Sequence, residues 1–323
     1  ISLNSAGNIL AIGATKNDFG GLNSGHTRIF EYDGTNWNQL GSSIIGSSAY
    51  AESGSSVSLS SDGYRIAIGS FKGGAIPQDS LYGNGEVRIY DYNGSSWNQV
   101  GPNILGEALG DGFGNSIELS DDGQRVAIGG YGNDGNGNNS GHVRVFEYDS
   151  GNWTQLGNDI DGENADDWCG WSISINSNCD RIVIGALGHY GFRGRTKVYK
   201  YETGSWLQMG QDIDGYFSSC ASMGGLSEQS AYSVAMNSSG NRIAVGSRYA
   251  CGFCTTIGST RIFDWDGYNW ILKGNGYDKC ATESVAINST GERIAMGPYG
   301  SDEPTEIISQ PILLCKRPLN ITI

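Results

Sequence analysis

Basic residues are scarce in this chain. Lys and Arg number 20 against 34 Asp and Glu, and the formal net charge is −14. Binding to nucleic acid needs clustered Lys and Arg on the phosphates, so this balance argues against it. The same charge favours solubility and attracts cations or basic partners. Long apolar runs are missing too: no stretch of about 18 residues suits a membrane-spanning helix. The sequence has no initiator Met and no signal-peptide pattern, and it opens inside a strand-like segment, which reads as a processed or partly observed product. Charged residues are only 17% of the chain, Pro occurs 6 times, and no Cys precedes Cys169.

What the chain has in quantity is Gly, at 51 residues, with 8 Trp and 17 Tyr. Plentiful aromatics and regular apolar strands exclude a disordered linker and favour an all-β protein with many tight turns. One segment recurs. Ser120-Asp121-Asp122-Gly123-Gln124-Arg125-Val126-Ala127-Ile128-Gly129 has counterparts around Arg65, Arg181, Arg242 and Arg293, and a weaker copy ends at Gly13. The closing glycines are Gly13, Gly69, Gly129, Gly185, Gly246 and Gly297, separated by 56, 60, 56, 61 and 51 residues. Six copies at one period imply a repeat architecture.

Each copy offers four strand-like pieces, clearest in the third. Strand a, Asn115 to Leu119, alternates polar and apolar side chains, and strand b, Arg125 to Ile128, is apolar enough for burial on both faces. A Gly- and Asn-rich loop, Tyr131 to Ser140, leads to the alternating strand c, His142 to Tyr148. A tight turn then opens strand d at Trp153. The c–d turn recurs as Tyr32-Asp33-Gly34-Thr35-Asn36-Trp37 and Tyr92-Asn93-Gly94-Ser95-Ser96-Trp97, and again before Trp206 and Trp270; Asp-Gly and Asn-Gly are strong hairpin signals. Four antiparallel strands repeated six times predict a β-propeller, with seven blades the alternative count. The expected modules are 1–46, 47–106, 107–162, 163–215, 216–274 and 275–297. The tail 298–323 either completes the last blade or pairs with a neighbouring copy.

Trp37, Trp97, Trp153, Trp206 and Trp270 are expected to pack blade against blade. His26 and His142 share one place in strand c and read as structural; His189 is unmatched and by itself makes neither a metal site nor a triad. Phe113-Gly114-Asn115-Ser116-Ile117 followed by Val126-Ala127-Ile128-Gly129-Gly130 resembles the FG-GAP repeat of integrin-α-type β-propellers, and Gly185-Ala186 and Gly13-Ala14 echo its ending. That resemblance implies an extracellular propeller, usually of seven blades, with Asp-x-Asp-x-Asp-Gly calcium loops. Here the corresponding turns, such as Ser60-Ser61-Asp62-Gly63, are too short and too poor in carboxylates, so no metal site and no cofactor are expected, and calcium has no motif behind it.

Asn-x-Ser/Thr sequons stand at Asn93, Asn138, Asn152, Asn237, Asn288 and Asn320. Asn93 and Asn152 fall in c–d turns and Asn237 and Asn288 in a–b turns, which places four on one face and predicts N-linked glycans there. Cys169, Cys220, Cys251, Cys254 and Cys280 gather toward the other face and are expected to form disulfides, Cys220 with Cys251 or Cys254 being the favoured pair; Cys315 or Cys179 is left over. That long-loop face also carries Asp159, Asp161, Glu163, Asp166, Asp167, Asp212 and Asp214. Calcium, a sugar or acid–base chemistry would each use such groups, but the repeated Asp-Ile-Asp-Gly reads as a solvated turn. The functional expectation is a secreted or cell-surface, N-glycosylated, non-catalytic propeller. Its role is structural, adhesive or in assembly, as in an extracellular filament, through contacts with other copies or extracellular partners. A carbohydrate-binding, lectin-like propeller is the alternative, with a glycan-processing enzyme behind it.

Overall fold

The computed structural model describes residues 1–74, 83–216, 228–250, 257–274, 282–298 and 306–309. In every module the repeated apolar segment, led by Arg in all but the first, becomes the second strand of an antiparallel sheet. In the third sheet, strand a is Phe113–Leu119, b is Arg125–Gly130, c is His142–Asp149 and d is Asn152–Gln155, hydrogen-bonded in that order. Strand d is broken. After a Gly turn the chain rejoins strand c as a second short piece, here called d′, Ile160–Asp161, which pairs with His142 and Val143. The same five pieces build the first, second and fourth sheets; the fifth has four strands and the sixth three. The protein is all-β and propeller-like, with one helical turn, His189–Phe192, among the described residues.

The repeat's glycines mark the joints between consecutive sheets. Strand a of the third and fourth sheets carries a bulge at Gly114 and Gly170; these and Gly54, at the equivalent place just before strand a of the second sheet, adopt φ of +88°, +82° and +88°. A Gly takes that backbone conformation at little cost. Each of these glycines points its carbonyl at the penultimate residue, a Gly, of strand b in the preceding sheet. A β-carbon on Gly13, Gly69 or Gly129 would lie 2.0, 2.1 or 2.2 Å from the oxygen of Gly54, Gly114 or Gly170. The recurrence of these glycines in the sequence is thus a recurrence of backbone-to-backbone contacts.

The tryptophans bind the outer strands in the same direction. The indole N–H groups of Trp97, Trp153, Trp206 and Trp270 donate to the carbonyls of Leu40, Val100, Leu156 and Met209 at 2.8, 2.9, 2.9 and 3.0 Å. These four pack as expected. Trp37 does not: its side chain is 43% exposed, because it belongs to the first sheet. On that sheet Leu10 and Ile12 are half-buried, whereas their counterparts Ile66 and Ile68 in the second sheet are fully buried.

At the inner edge, strand a exposes amide groups with no strand beside them, and side chains of the preceding sheet supply acceptors. The amides of Leu59, Leu119 and Met236 donate to the hydroxyls of Ser2, Ser58 and Ser174, and that of Ile175 donates to the Glu118 carboxylate at 2.9 Å. Between consecutive sheets lie separate apolar clusters, in which Ile66, Ile68, Val126, Ile128, Ile182 and Ile243 are fully buried. Each such side chain contributes about 1.5–3 kcal/mol relative to exposure. In the tail, Glu306–Ser309 pairs antiparallel with Arg293–Met296, adding a strand to the chain's own sixth sheet.

Candidate functional site

The long b–c loops and the d–a segments lie on one face and hold each other. In the third module the amides of Asp166, Trp168 and Cys169 donate to the carbonyls of Asn138, Asn139 and Ser140. The Asp134 carboxylate accepts from the Asn139 amide at 2.8 Å, closing the loop on itself. Next to this framework five rings from consecutive modules meet. Tyr131 is 6.0 Å from Trp168 and 5.3 Å from Trp171, the two indoles stack at 5.6 Å, Phe192 meets Trp168 edge-on at 5.0 Å, and Tyr232 lies 5.9 Å from Trp171. All five are partly exposed. Trp168 and Phe192 hold φ of +54° and +68°, and neighbouring Asp166 holds +60°. Such values are costly for side chains of this size, and strain of this kind gathers at binding surfaces. Sequence reasoning marked Tyr131 and its loop but not the rings brought to it from three other segments. Their meeting depends on the stacking of the sheets.

A second constellation recurs from sheet to sheet where strand c starts against d′. In the fourth sheet Arg195 faces Asp214 in register. Its guanidinium pairs with Glu163, Asp212 and Asp214 at 2.9, 2.9 and 2.7 Å, and Lys197 pairs with Glu163 and Asp212. The Lys197 contact holds the Glu163 carboxyl below its usual range; burial opposes but does not reverse the same effect of Arg195 on Asp214. In the second sheet Glu86 takes the place of Arg195, beside Ser47, Asn103 and Arg88. In the third sheet the place belongs to His142, which is completely buried and faces Asp161 in register. Its Nδ1 lies 3.6 Å from Asp159, and ligand atoms of Glu107, His142 and Asp159 all lie within 4.8 Å of one another. Burial lowers the pKa of the His142 imidazole against the opposing pull of Asp159, and burial together with Asp159 raises that of the Asp161 carboxyl.

The structure sorts the expected site residues. Asn93, Asn138, Asn152 and Asn288 are exposed. Asn237 is not: it is 3% exposed, its Oδ1 caps the amides of Asn241 and Arg242, and its Nδ2 donates to Ser239 and Asn241. It is a turn-capping residue, and the expected glycan has no accessible nitrogen to join. Asn320 lies outside the described residues, as do Cys220, Cys251, Cys254, Cys280 and Cys315. Cys169 is a buried free thiol, as is Cys179. The disulfide expected of Cys169 is corrected: its side chain turns into the packing between the third and fourth sheets, and burial raises its pKa to about 12. Asp161 and Asp214 sit on d′ strands against strand c and not in turns; Asp161 is exposed and Asp214 half-buried.

His189, the unmatched imidazole, is buried with Nδ1 2.8 Å from the Asp167 carboxylate. The reading of His142 as structural by analogy with His26 also changes. His26 faces Ile45, an apolar residue, whereas His142 faces a carboxylate with two more beside it.

No family model matches the chain, and no curated protein matches it in sequence. Solved structures do match in fold. One is described as Kuenenia stuttgartiensis hydrazine synthase, 12% identical, with a TM-score of 0.61 over 95% of this chain and 75% of that one. This finding corrects the expectation of a non-catalytic chain, because an enzyme uses the same architecture. At that identity the likeness is one of fold, and no activity comes with it.

Proposed function

We propose that this chain is a closed six-bladed β-propeller of the FG-GAP-like kind, working outside the cell as an N-glycosylated adhesive module whose long-loop face takes carbohydrate. The observation that carries the reading is the partly exposed cluster of Tyr131, Trp168, Trp171, Phe192 and Tyr232. Sugar rings present apolar C–H faces and hydroxyl edges. Exposed aromatic rings suit the first, and carboxylate or amide groups beside them, here Asp166 and Asn139, suit the second. Rigid loops keep such a surface preorganised, which limits the ordering cost of binding. The exposed sequons at Asn93, Asn152 and Asn288 lie in the turns of the opposite face, and one exposed sequon, Asn138, lies in the long loop beside the cluster.

The half-buried Leu10 and Ile12 and exposed Trp37 have counterparts in the second to fifth sheets that pack on the preceding sheet, so they form the surface a closing sixth blade would cover. A second copy seated there instead would build a filament, the assembly reading. Glycan-array binding tests the proposal. Selective binding of a saccharide class is expected. A blank array, together with ordered polymers of the native protein in electron micrographs, would replace the carbohydrate reading with assembly.

A further inference from the structure

Among the second, third and fourth sheets, the carboxylates at the start of strand c carry a charge imbalance in the third. In the fourth sheet Glu163, Asp212 and Asp214 are opposed by Arg193, Arg195 and Lys197, three against three. In the second sheet Glu86 is opposed by Arg88. In the third sheet Glu107, Asp159 and Asp161 face one guanidinium, that of Arg144, which leaves two negative charges over. Arg144 is only loosely engaged with them, 3.9 Å from Glu107 and 3.8 Å from Asp159. Its hydrogen bonds go to the Gln155 side chain at 3.0 and 2.8 Å and to the Leu105 carbonyl.

The position that Arg195 fills in the fourth sheet is filled here by His142. Its ring is fully buried, and neither nitrogen has a hydrogen-bond partner among the described residues. A buried imidazole left without a partner is costly. Nε2 is turned toward Gly130, while Nδ1 faces Asp159. The nearby polar groups hold the carboxylates in place: Gln155 Nε2 donates to Asp159 at 2.5 Å, and Asn133 Nδ2 to Glu107 at 3.4 Å.

We propose that Glu107, His142 and Asp159 bind a divalent transition-metal ion of the Zn2+ type, which takes the place that the Arg195 guanidinium holds in the next sheet. The two excess charges match one divalent cation. A neutral imidazole nitrogen with two carboxylates is a donor set suited to Zn2+ and poorly suited to Ca2+, which prefers oxygen alone. The ion would satisfy Nδ1 and tie the d–a segment carrying Glu107 to strands c and d′. This site is separate from the aromatic cluster, and neither proposal depends on the other.

The test is calorimetric titration of the full chain with Zn2+ in excess Mg2+, which occupies the general acidic surface, with Ca2+ titrated in parallel. About one Zn2+ per chain is expected, with an accompanying rise in Tm and no competition from Ca2+. Asp159→Asn and Glu107→Gln, both on accessible side chains, are expected to weaken binding by at least about ten-fold. His142→Arg, which installs the fourth sheet's own solution, is expected to abolish Zn2+ binding while keeping a Tm at or above that of the metal-free wild type. Co2+ substitution supplies a visible spectrum that reports imidazole and carboxylate ligation. Absence of stoichiometric Zn2+ binding to the folded wild-type chain would overturn the proposal. So would unchanged affinity in all three variants.

Discussion

Gly129 stands so close to Gly170 of the following sheet that a β-carbon on it would lie 2.2 Å from the Gly170 oxygen. Gly69 and Gly114 make the same approach one sheet earlier. Adjacent sheets therefore meet through bare backbone, and a side chain at this joint forces them apart. Gly129→Ala is expected to destabilise the fold by about 2–3 kcal/mol through overpacking. Denaturant unfolding measures it. An Ala that is tolerated without loss would mean the joint has slack.

Ala231 breaks the rule in the opposite sense. It occupies the place held by Gly54, Gly114 and Gly170, with φ +63°. A β-carbon in this region costs roughly 1–2 kcal/mol, while the Ala methyl is buried and adds some packing. Ala231→Gly is expected to leave stability equal or raise it by up to about 1 kcal/mol, where a buried Ala→Gly change ordinarily destabilises. A clear loss in thermal unfolding would contradict the strain.

Glu118 gives the fold a pH signature. Burial against the fourth sheet raises its carboxyl from the usual range to about 7, although the Ile175 amide and the Ser174 hydroxyl favour the charged form. The folded state therefore binds the proton more tightly than the unfolded state. Stability from this group is fully present below the unfolded value near 4.5 and declines as pH rises toward 7. The decline is on the order of 2–3 kcal/mol. Glu118→Gln removes it, so the variant should gain on the wild type as pH rises from about 4.5 to 7. Parallel Tm profiles of the two proteins would expose the opposite outcome.

These relationships divide what the sequence reveals from what it hides. The period, the strand order and the recurring tryptophans were legible, because each is a local pattern repeated; the role of the glycines as backbone joints was not, because it depends on how the sheets stack. The break of strand d into two pieces was not, since Gly41, Gly101, Gly157 and Gly210 look like ordinary turn residues. The Asn237 cap was misread because a turn-capping Asn followed by Ser and Ser is also a glycosylation sequon. His142 hid behind His26. The two share a place in the repeat, yet Ile45 faces one and Asp161 the other. Its partners Glu107 and Asp159 lie 35 and 17 residues away along the chain, so only the register between c and d′ unites them. Five rings far apart in sequence remained invisible as a cluster for the same reason.

Glycosylation offers an independent check on the two faces. Protein from a secreting eukaryotic host is expected to carry glycans at Asn93, Asn138, Asn152 and Asn288, and none at Asn237, which has no accessible side-chain nitrogen. Peptide mass mapping before and after glycosidase treatment reads each position separately. Modification of Asn237 in folded protein would contradict the buried cap.

The measurement closest to the central claim is a fluorescence titration with the saccharide class selected on the array, comparing wild type with Trp168→Ala. Trp168 sits at the centre of the cluster, touching Tyr131, Trp171 and Phe192. Saturable change in tryptophan emission is expected for the wild type. The variant, with its Tm within a few degrees, is expected to bind at least about ten-fold more weakly, in line with loss of an aromatic anchor. Equal affinity in the two proteins would show that the loop-face cluster is not where the sugar binds.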